Sequence, residues 1–312
     1  MGHINRTQLV IIVLFIAVFT TSRFFVSPQT PVEQVTPAET PKNPFAGISL
    51  EAEAAYVADA ITGEILFAKN ATTQLPLASI TKVMTAVVAS ELAPRETIIN
   101  ISPEAIAKEG DTGLRTGERW RLADILDFTL IASSNDGAYA VASALNSLLE
   151  LTVVSAEVPT ASTDAHFIKR MNEKAAGIGM SETFFLNESG LDEHASLSGA
   201  YGSAKDMARL FTYALLNHPD ILEATRYETL NIESLDAIAH EVENTNKRIG
   251  ALPGIVASKT GFTDLAGGNL IIAFEAGPMR PIIVSVLGSS QDGRFDDVEK
   301  LVWASVEQIA VK

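Results

Sequence analysis

The sequence predicts a mixed α/β domain, an antiparallel sheet flanked by helices together with a helical subdomain. Three observations predict it. Two short strand-like runs, Ala54–Ala60 and Ile65–Lys69, meet around the turn Thr62-Gly63 and open the domain as a hairpin. Apolar residues at helical spacing fill the middle of the chain. Three apolar, β-branched runs with glycine-containing turns between them, Ile255–Lys259, Asn269–Phe274 and Pro281–Leu287, then lead into an amphipathic stretch at Asp296–Val311. Strands at both ends with helices between them place the two strand groups in one antiparallel sheet.

Residues 1–26 stand apart from this domain. Arg6 precedes an unbroken apolar run, Leu9–Phe19, and Thr20-Thr21-Ser22-Arg23 and Phe24-Phe25-Val26 follow. The segment reads as an export signal. Without a clear Ala-x-Ala site it is expected to remain as an N-terminal membrane anchor, cleavage and secretion being the alternative. Residues 27–47 are a linker, because prolines at 28, 31, 37, 41 and 44 forbid helix and sheet and favour an extended spacer. The folded domain is expected over residues 48–312.

Within the domain, Leu75–Leu92 is apolar on most sides through Ile80, Val83, Met84, Val87 and Val88, the mark of a buried helix. Glu96–Ser102 reads as a strand and Pro103 opens a brief helix. Leu122–Ala132 is a second apolar helix, ending in Ser133-Ser134-Asn135-Asp136-Gly137; Asp136 or Asn135 is expected to cap a third, Ala138–Leu149. Asp164–Ala176 and Ser203–Asn217 are amphipathic helices, with Gly190 and Gly199 in the irregular stretch between them.

Composition narrows the function. The chain has 312 residues with 47% hydrophobic and 20% charged, ordinary for a globular protein with a sizeable core. A net charge of −15 makes nucleic acid a poor partner. The absence of cysteine excludes disulfides, thiol catalysis and thiolate metal sites. His3, His166, His194, His218 and His240 show no ligand spacing and are expected at the surface, so neither metal nor cofactor is called for.

Chemistry enters with Ser79 and Lys82 at the start of the first buried helix. Three positions apart, the two side chains share a face. An ammonium there opposes the positive end of the helix dipole and is costly to desolvate, and both penalties lower its pKa until it can accept a proton from a neighbouring hydroxyl. The bland alternative is a helix-capping serine followed by an unrelated lysine. Two further patterns weigh against it. Ser133-Ser134-Asn135 lies in the loop between two helices, and Lys259-Thr260-Gly261 follows a strand-like run. Each is weak alone, but the ordered set Ser-x-x-Lys, Ser-x-Asn, Lys-Thr-Gly is specific.

With these residues the chain resembles the serine D-Ala-D-Ala carboxypeptidases of the low-molecular-mass penicillin-binding proteins. The resemblance runs from about Ala54 to Trp303. It includes VADAITGEILFAKN, PLASITKVMTA, ASSNDGAYA, FFLNESGLD, GSAKDMARL, SKTGFTDLAGGNL and the pair Arg294-Phe295. It implies a β-lactamase/transpeptidase-like fold, a peptidoglycan stem peptide ending in D-Ala-D-Ala as substrate, and β-lactam antibiotics as acylating inhibitors. It implies Ser79 as nucleophile, Lys82 as general base, Ser133 as a proton-relaying hydroxyl and Asn135 as the amide that holds the substrate chain. Lys259 would add positive field beside Lys82, and Thr260 would bind the terminal carboxylate with Arg294 paired to it. Gly261 and Phe262 complete the strand, the backbone N–H groups of Ser79 and Phe262 forming the oxyanion hole. Ser134, where glycine or alanine is frequent, is expected to narrow the pocket.

Many of these carboxypeptidases carry a second, all-β domain and a C-terminal amphipathic membrane helix. Here Asp296–Val311 is expected to be the last helix, so anchoring is expected from the N-terminus, on the outer face of the cytoplasmic membrane. The motifs do not separate a carboxypeptidase from a peptidoglycan endopeptidase. A class A β-lactamase would deacylate with a glutamate in Glu-x-x-Leu-Asn; the one similar segment, Tyr227–Asn231, has tyrosine at that place. An inactive peptidoglycan-binding protein is the remaining alternative, and the intact motif residues argue against it.

Overall fold

The computed structural model describes residues 43–152 and 165–311. The expected anchor, most of the linker and Asp164 lie outside them. Among the described residues no helix is long and apolar enough to cross a membrane. The packed chain begins slightly before the expected boundary at 48: Phe45 is buried and stacks on Phe67, ring centroids 5.4 Å apart.

The elements follow in chain order. Strands β1 (Ala54–Asp59), β2 (Ile65–Lys69) and β3 (Leu75–Pro76) lead to a 3-10 turn, Ala78–Thr81, and helix α1 (Lys82–Leu92). Then come β4 (Ile98–Asn100), α2 (Pro103–Ile106), β5 (Arg119–Arg121), α3 (Leu122–Ala132), α4 (Asn135–Thr152) and α5 (Ala165–Gly177). Strands β6 (Phe184–Phe185) and β7 (Ala200–Gly202), helices α6 (Ala204–Asn217) and α7 (Pro219–Glu223) and the hairpin β8 (Thr229–Glu233) and β9 (Ala239–Glu243) follow. Strands β10 (Ile255–Thr263), β11 (Gly267–Glu275) and β12 (Pro281–Ser289) and helix α8 (Gly293–Ala310) close the chain.

The main sheet runs β10-β11-β12-β1-β2, antiparallel throughout, with β1 pairing β12 from Ala54↔Leu287 to Asp59↔Ile282. The expected union of N- and C-terminal strands is therefore correct. Side-chain alternation divides the core into two layers. Ala54, Tyr56, Ile271, Ala273 and Ile283 face the helices α1, α3–α6, whereas Ala55, Val57, Leu270, Ile272, Phe274 and Val284 pack with Phe295, Val298, Leu301 and Val302 of α8. A sheet buried on both faces explains why its strands read as continuous apolar runs.

Three expectations change. The buried helix starts at Lys82, with Pro76 in β3 and Ser79 in the 3-10 turn. Helix α4 begins at Asn135, and its N-cap is Ser134, whose Oγ accepts the Gly137 N–H at 2.9 Å. His240 is not a surface residue. It packs between Trp120 and Phe128, and its Nε2 lies 3.0 Å from Oε2 of buried Glu118.

Candidate active site

The local sequence holds the nucleophile turn in place. Ala78 adopts φ +50, a left-handed conformation costly for a residue with a side chain. Two contacts impose it. Asn269, a polar residue inside an apolar strand, donates from Nδ2 to Pro76 O (3.0 Å) and Leu77 O (2.9 Å) and so ties the turn to β11. On the other side Gly190 packs so closely that a Cβ there would lie 1.9 Å from Ala78 O and 2.5 Å from Thr81 Oγ1. Both residues lie within motif strings, FFLNESGLD and SKTGFTDLAGGNL, whose pattern assigns neither a role. An asparagine interrupting Gly267–Glu275 was the available signal.

From this turn Ser79 Oγ lies 2.8 Å from Lys82 Nζ. Lys82 also contacts Asn135 Oδ1 at 2.7 Å and Ser189 O at 3.0 Å. The lysine is fully buried, and desolvation lowers its pKa to about 7, against the opposing pull of Glu188 and Asp136. Of the two causes argued from sequence, the helix dipole and desolvation, desolvation is the one that lowers it. Asn135 is held from its other end, Nδ2 donating to Glu109 O at 2.7 Å.

The second motif joins the third. Ser133 ends α3 at φ +61, and its Oγ accepts from Lys259 Nζ at 2.8 Å. Lys259 also donates to Thr260 O at 2.7 Å. Its pKa is held well below the usual lysine range by burial, with the charges of Lys82 and Arg294 adding to the shift. Ser134 is fully buried, its hydroxyl capping α4 and bonding Thr112 Oγ1 at 2.7 Å. The hydroxyl is thereby engaged in holding the loop rather than in shaping the pocket as expected.

Strand β10 lies at the edge of the sheet, beside the nucleophile turn. Gly261 permits that approach: a Cβ there would sit 3.0 Å from Ser79 N and 3.0 Å from Leu77 O. This brings the backbone of Gly261-Phe262 next to the Ser79 N–H, while the Phe262 ring is 43% exposed. Arg294, at the start of α8, is buried and donates from Nη1 to Gly261 O at 2.6 Å, and its Nε has no partner. Of the neighbouring carboxylates, Asp292 acts on Arg294 through its charge, while two others are engaged elsewhere. Asp296 pairs with Arg248, and Asp297 accepts from the backbone of Glu51 and Ala52. Three buried basic groups, Lys82, Lys259 and Arg294, thus lie close enough for the charges of Lys82 and Arg294 to act on Lys259. Among the described residues no group of three or more His, Asp or Glu side chains is placed to hold a metal ion.

Comparison with known proteins identifies the family and the fold. The profile of the D-alanyl-D-alanine carboxypeptidase family matches residues 37–291, and the chain belongs to that family. It is 31% identical over 259 residues to the D-alanyl-D-alanine carboxypeptidase DacF of Bacillus subtilis, covering 81% of this chain and 61% of that relative. The chain therefore spans about three fifths of that relative's length. It is 27% identical over 287 residues to a D-alanyl-D-alanine endopeptidase of Pseudomonas aeruginosa, covering 85% of this chain and 82% of the relative. Penicillin-binding protein D2 of Listeria monocytogenes in its ampicillin-bound form shares the fold, with a TM-score of 0.67 at 29% identity over 82% of this chain and 98% of that one.

Proposed function

We propose that the chain is a serine D-Ala-D-Ala carboxypeptidase that trims peptidoglycan stem peptides through an acyl-enzyme on Ser79. The observation that carries this reading is the 2.8 Å approach of Ser79 Oγ to a buried lysine whose pKa is lowered to about 7. A lysine so poised is half neutral near pH 7 and takes a proton from the attacking hydroxyl.

Ser79 Oγ attacks the carbonyl of the penultimate D-Ala while its proton passes to Lys82 Nζ. The resulting oxyanion is held by the N–H groups of Ser79 and Phe262. Collapse breaks the peptide bond, and the proton that Lys82 took from Ser79 passes by way of Ser133 to the leaving amine of the terminal D-Ala, leaving Lys82 neutral again. A water then attacks the ester, its oxygen bonding to the acyl carbon while one of its protons passes through Lys82 to Ser79 Oγ, and the shortened peptide leaves with a new carboxylate. Asn135 holds the substrate chain, lying along the open edge of β10, and Thr260 and Arg294 receive the terminal carboxylate. β-Lactams acylate Ser79 in the same way because their ring amide stands in for the scissile bond. Residues 1–26 tether the domain to the membrane at the cell envelope, the apolar run Leu9–Phe19 supporting that placement.

The test is incubation with fluorescent penicillin, mapping of the labelled peptide, and assay of a D-Ala-D-Ala peptide beside its C-terminal amide. Label on Ser79 that Ser79→Ala abolishes, with cleavage confined to the free acid, is the expected result. Cleavage of both peptides at equal rates favours the endopeptidase reading, to which one relative's name corresponds. Label that survives Ser79→Ala sinks the assignment of the nucleophile.

A further inference from the structure

Behind Thr260 stands a second hydroxyl. Thr245 Oγ1 lies 2.6 Å from Thr260 Oγ1. Thr245 sits just after β9, on a loop that its neighbours lock in place. Asn244 Oδ1 accepts the Asn246 N–H at 2.8 Å, and Asn244 Nδ2 donates to Thr225 O and Tyr227 O, both at 2.9 Å. Thr225 is itself joined to β10, taking the Ser258 N–H at 3.1 Å. The Thr245 N–H donates to Ile131 O at 3.3 Å, two positions before Ser133. Downstream, Arg248 pairs with Asp296 and Glu299 of α8. The loop thus braces α3, β10 and α8, the three elements that carry Ser133, Thr260 and Arg294.

Two hydroxyls at this separation share one hydrogen between them: one donates and the other accepts. The direction decides what Thr260 can do. If Thr260 donates to Thr245, it has no hydrogen left for a ligand. If Thr245 donates, the Thr260 hydrogen is released for a third group. A carboxylate only accepts, so it selects the second arrangement, and a chain of hydroxyls pointing one way strengthens each bond in it.

We propose that Thr245 is a positioning residue for the terminal carboxylate of the substrate, turning the Thr260 hydroxyl into a committed donor. The inference rests on the carboxypeptidase reading and assigns part of its specificity for a free C-terminus to the loop after β9. The nearby Arg294 Nε, buried without a partner, marks the same cleft as short of an acceptor.

The experiment compares the full chain with T245V, which keeps the shape and removes the hydroxyl, and T245S, which restores it. With a peptide ending in D-Ala-D-Ala, T245V should raise KM about twofold to tenfold, the range for one neutral hydrogen bond, and leave kcat within about twofold. T245S should return KM to that of the parent. The residual rate on the C-terminal amide should not change, so the preference for free acid over amide falls by the same factor. Should T245V not fold, T245A carries the same comparison. An unchanged KM in T245V overturns the inference, as does a T245S as impaired as T245V, because packing alone would then explain the site. A parent protein that penicillin does not label removes the carboxypeptidase reading, and this inference with it; a labelled parent with an unaffected T245V removes this inference alone.

Discussion

Arg294 Nη1 donates to Gly261 O at 2.6 Å, so the first turn of the last helix holds the Lys-Thr-Gly strand by its backbone. An aspartate beside it, Asp292, acts on Arg294 through its charge. In the structure the guanidinium is buried against β10 and still has an unused Nε. Arg294→Ala should raise KM, or lower kcat/KM, for free-acid peptides by about 10-fold or more, the loss of a charge-assisted bond. The amide of the same peptide should respond little. Arg294→Lys keeps a charge without the fork and should fall between the two. A steady-state series on both substrates checks this, and equal losses on acid and amide would assign Arg294 to strand support alone.

The acylation rate should follow the ionisation of Lys82. Only the neutral amine accepts the Ser79 proton, so penicillin acylation should rise with pH through about 7 and be lost below it. Lys82→Ala should slow acylation by roughly 10²–10⁴-fold, and the step near pH 7 should vanish. Stability carries the same signature. The folded protein holds fewer protons than the unfolded chain between pH about 7 and the ordinary lysine value of 10.5. Parent stability should therefore climb with pH across that window, relative to Lys82→Met, which has no such group. Stopped-flow acylation and paired thermal melts measure both effects. A pH-independent acylation rate would move the base elsewhere.

Gly190→Ala should damage the site out of proportion to its size. The added Cβ would meet Ala78 O at 1.9 Å and the C atom of Ala78 at 2.6 Å, both backbone, and φ is +76. Gly63 has a similar φ of +72 with nothing within 4 Å, so Gly63→Ala isolates the conformational cost, about 1 kcal/mol. The Gly190 variant should lose at least 10-fold more penicillin acylation than the Gly63 variant. Similar rates in the two would show that the nucleophile turn tolerates displacement.

Glu118→Ala should act on stability and spare chemistry. The buried carboxylate accepts from Trp120 Nε1 at 3.0 Å and faces His240 Nε2 at 3.0 Å. Removing it strands the Trp120 N–H and the His240 ring nitrogen, a loss of about 1–3 kcal/mol for each unsatisfied buried group. For a domain of this size that corresponds to a melting point lower by about 2–4 °C per kcal/mol. Acylation measured well below the melting point should stay within a few-fold of the parent. A melting temperature equal to the parent's would mean that water replaces the carboxylate.

What could be read in advance was local or repetitive. Ser79 and Lys82 lie three residues apart, and their meaning needs only helical geometry and the cost of burying an amine. Strands β10–β12 were legible because a sheet covered on both faces leaves uninterrupted apolar runs. The hairpin β8–β9 was not, since the segment around Tyr227–Asn231 alternates polar and half-buried residues. Nothing in the segments marks Asn269 as the partner of Pro76 and Leu77 or Thr245 as the neighbour of Thr260, because each pair is brought together only by the finished sheet. The left-handed Ala78, and the 3-10 turn in place of a helical start, depend on the same remote contacts.

Strands β1 and β2 precede the helices, whereas β10, β11 and β12 follow them, and β12 is the neighbour that completes β1. Synthesis delivers these parts in an order opposite to need. When Ser79 and Lys82 have left the ribosome, the hairpin beside them is a two-strand fragment, marginal in water by itself. The lysine is then hydrated and fully charged, and the serine is inert. The reactive pair is complete only once the strand ending at Ser289 pairs with β1, a long-range closure of the kind that slows folding. A fragment lacking β12 should therefore take up no penicillin label, rather than a weak one.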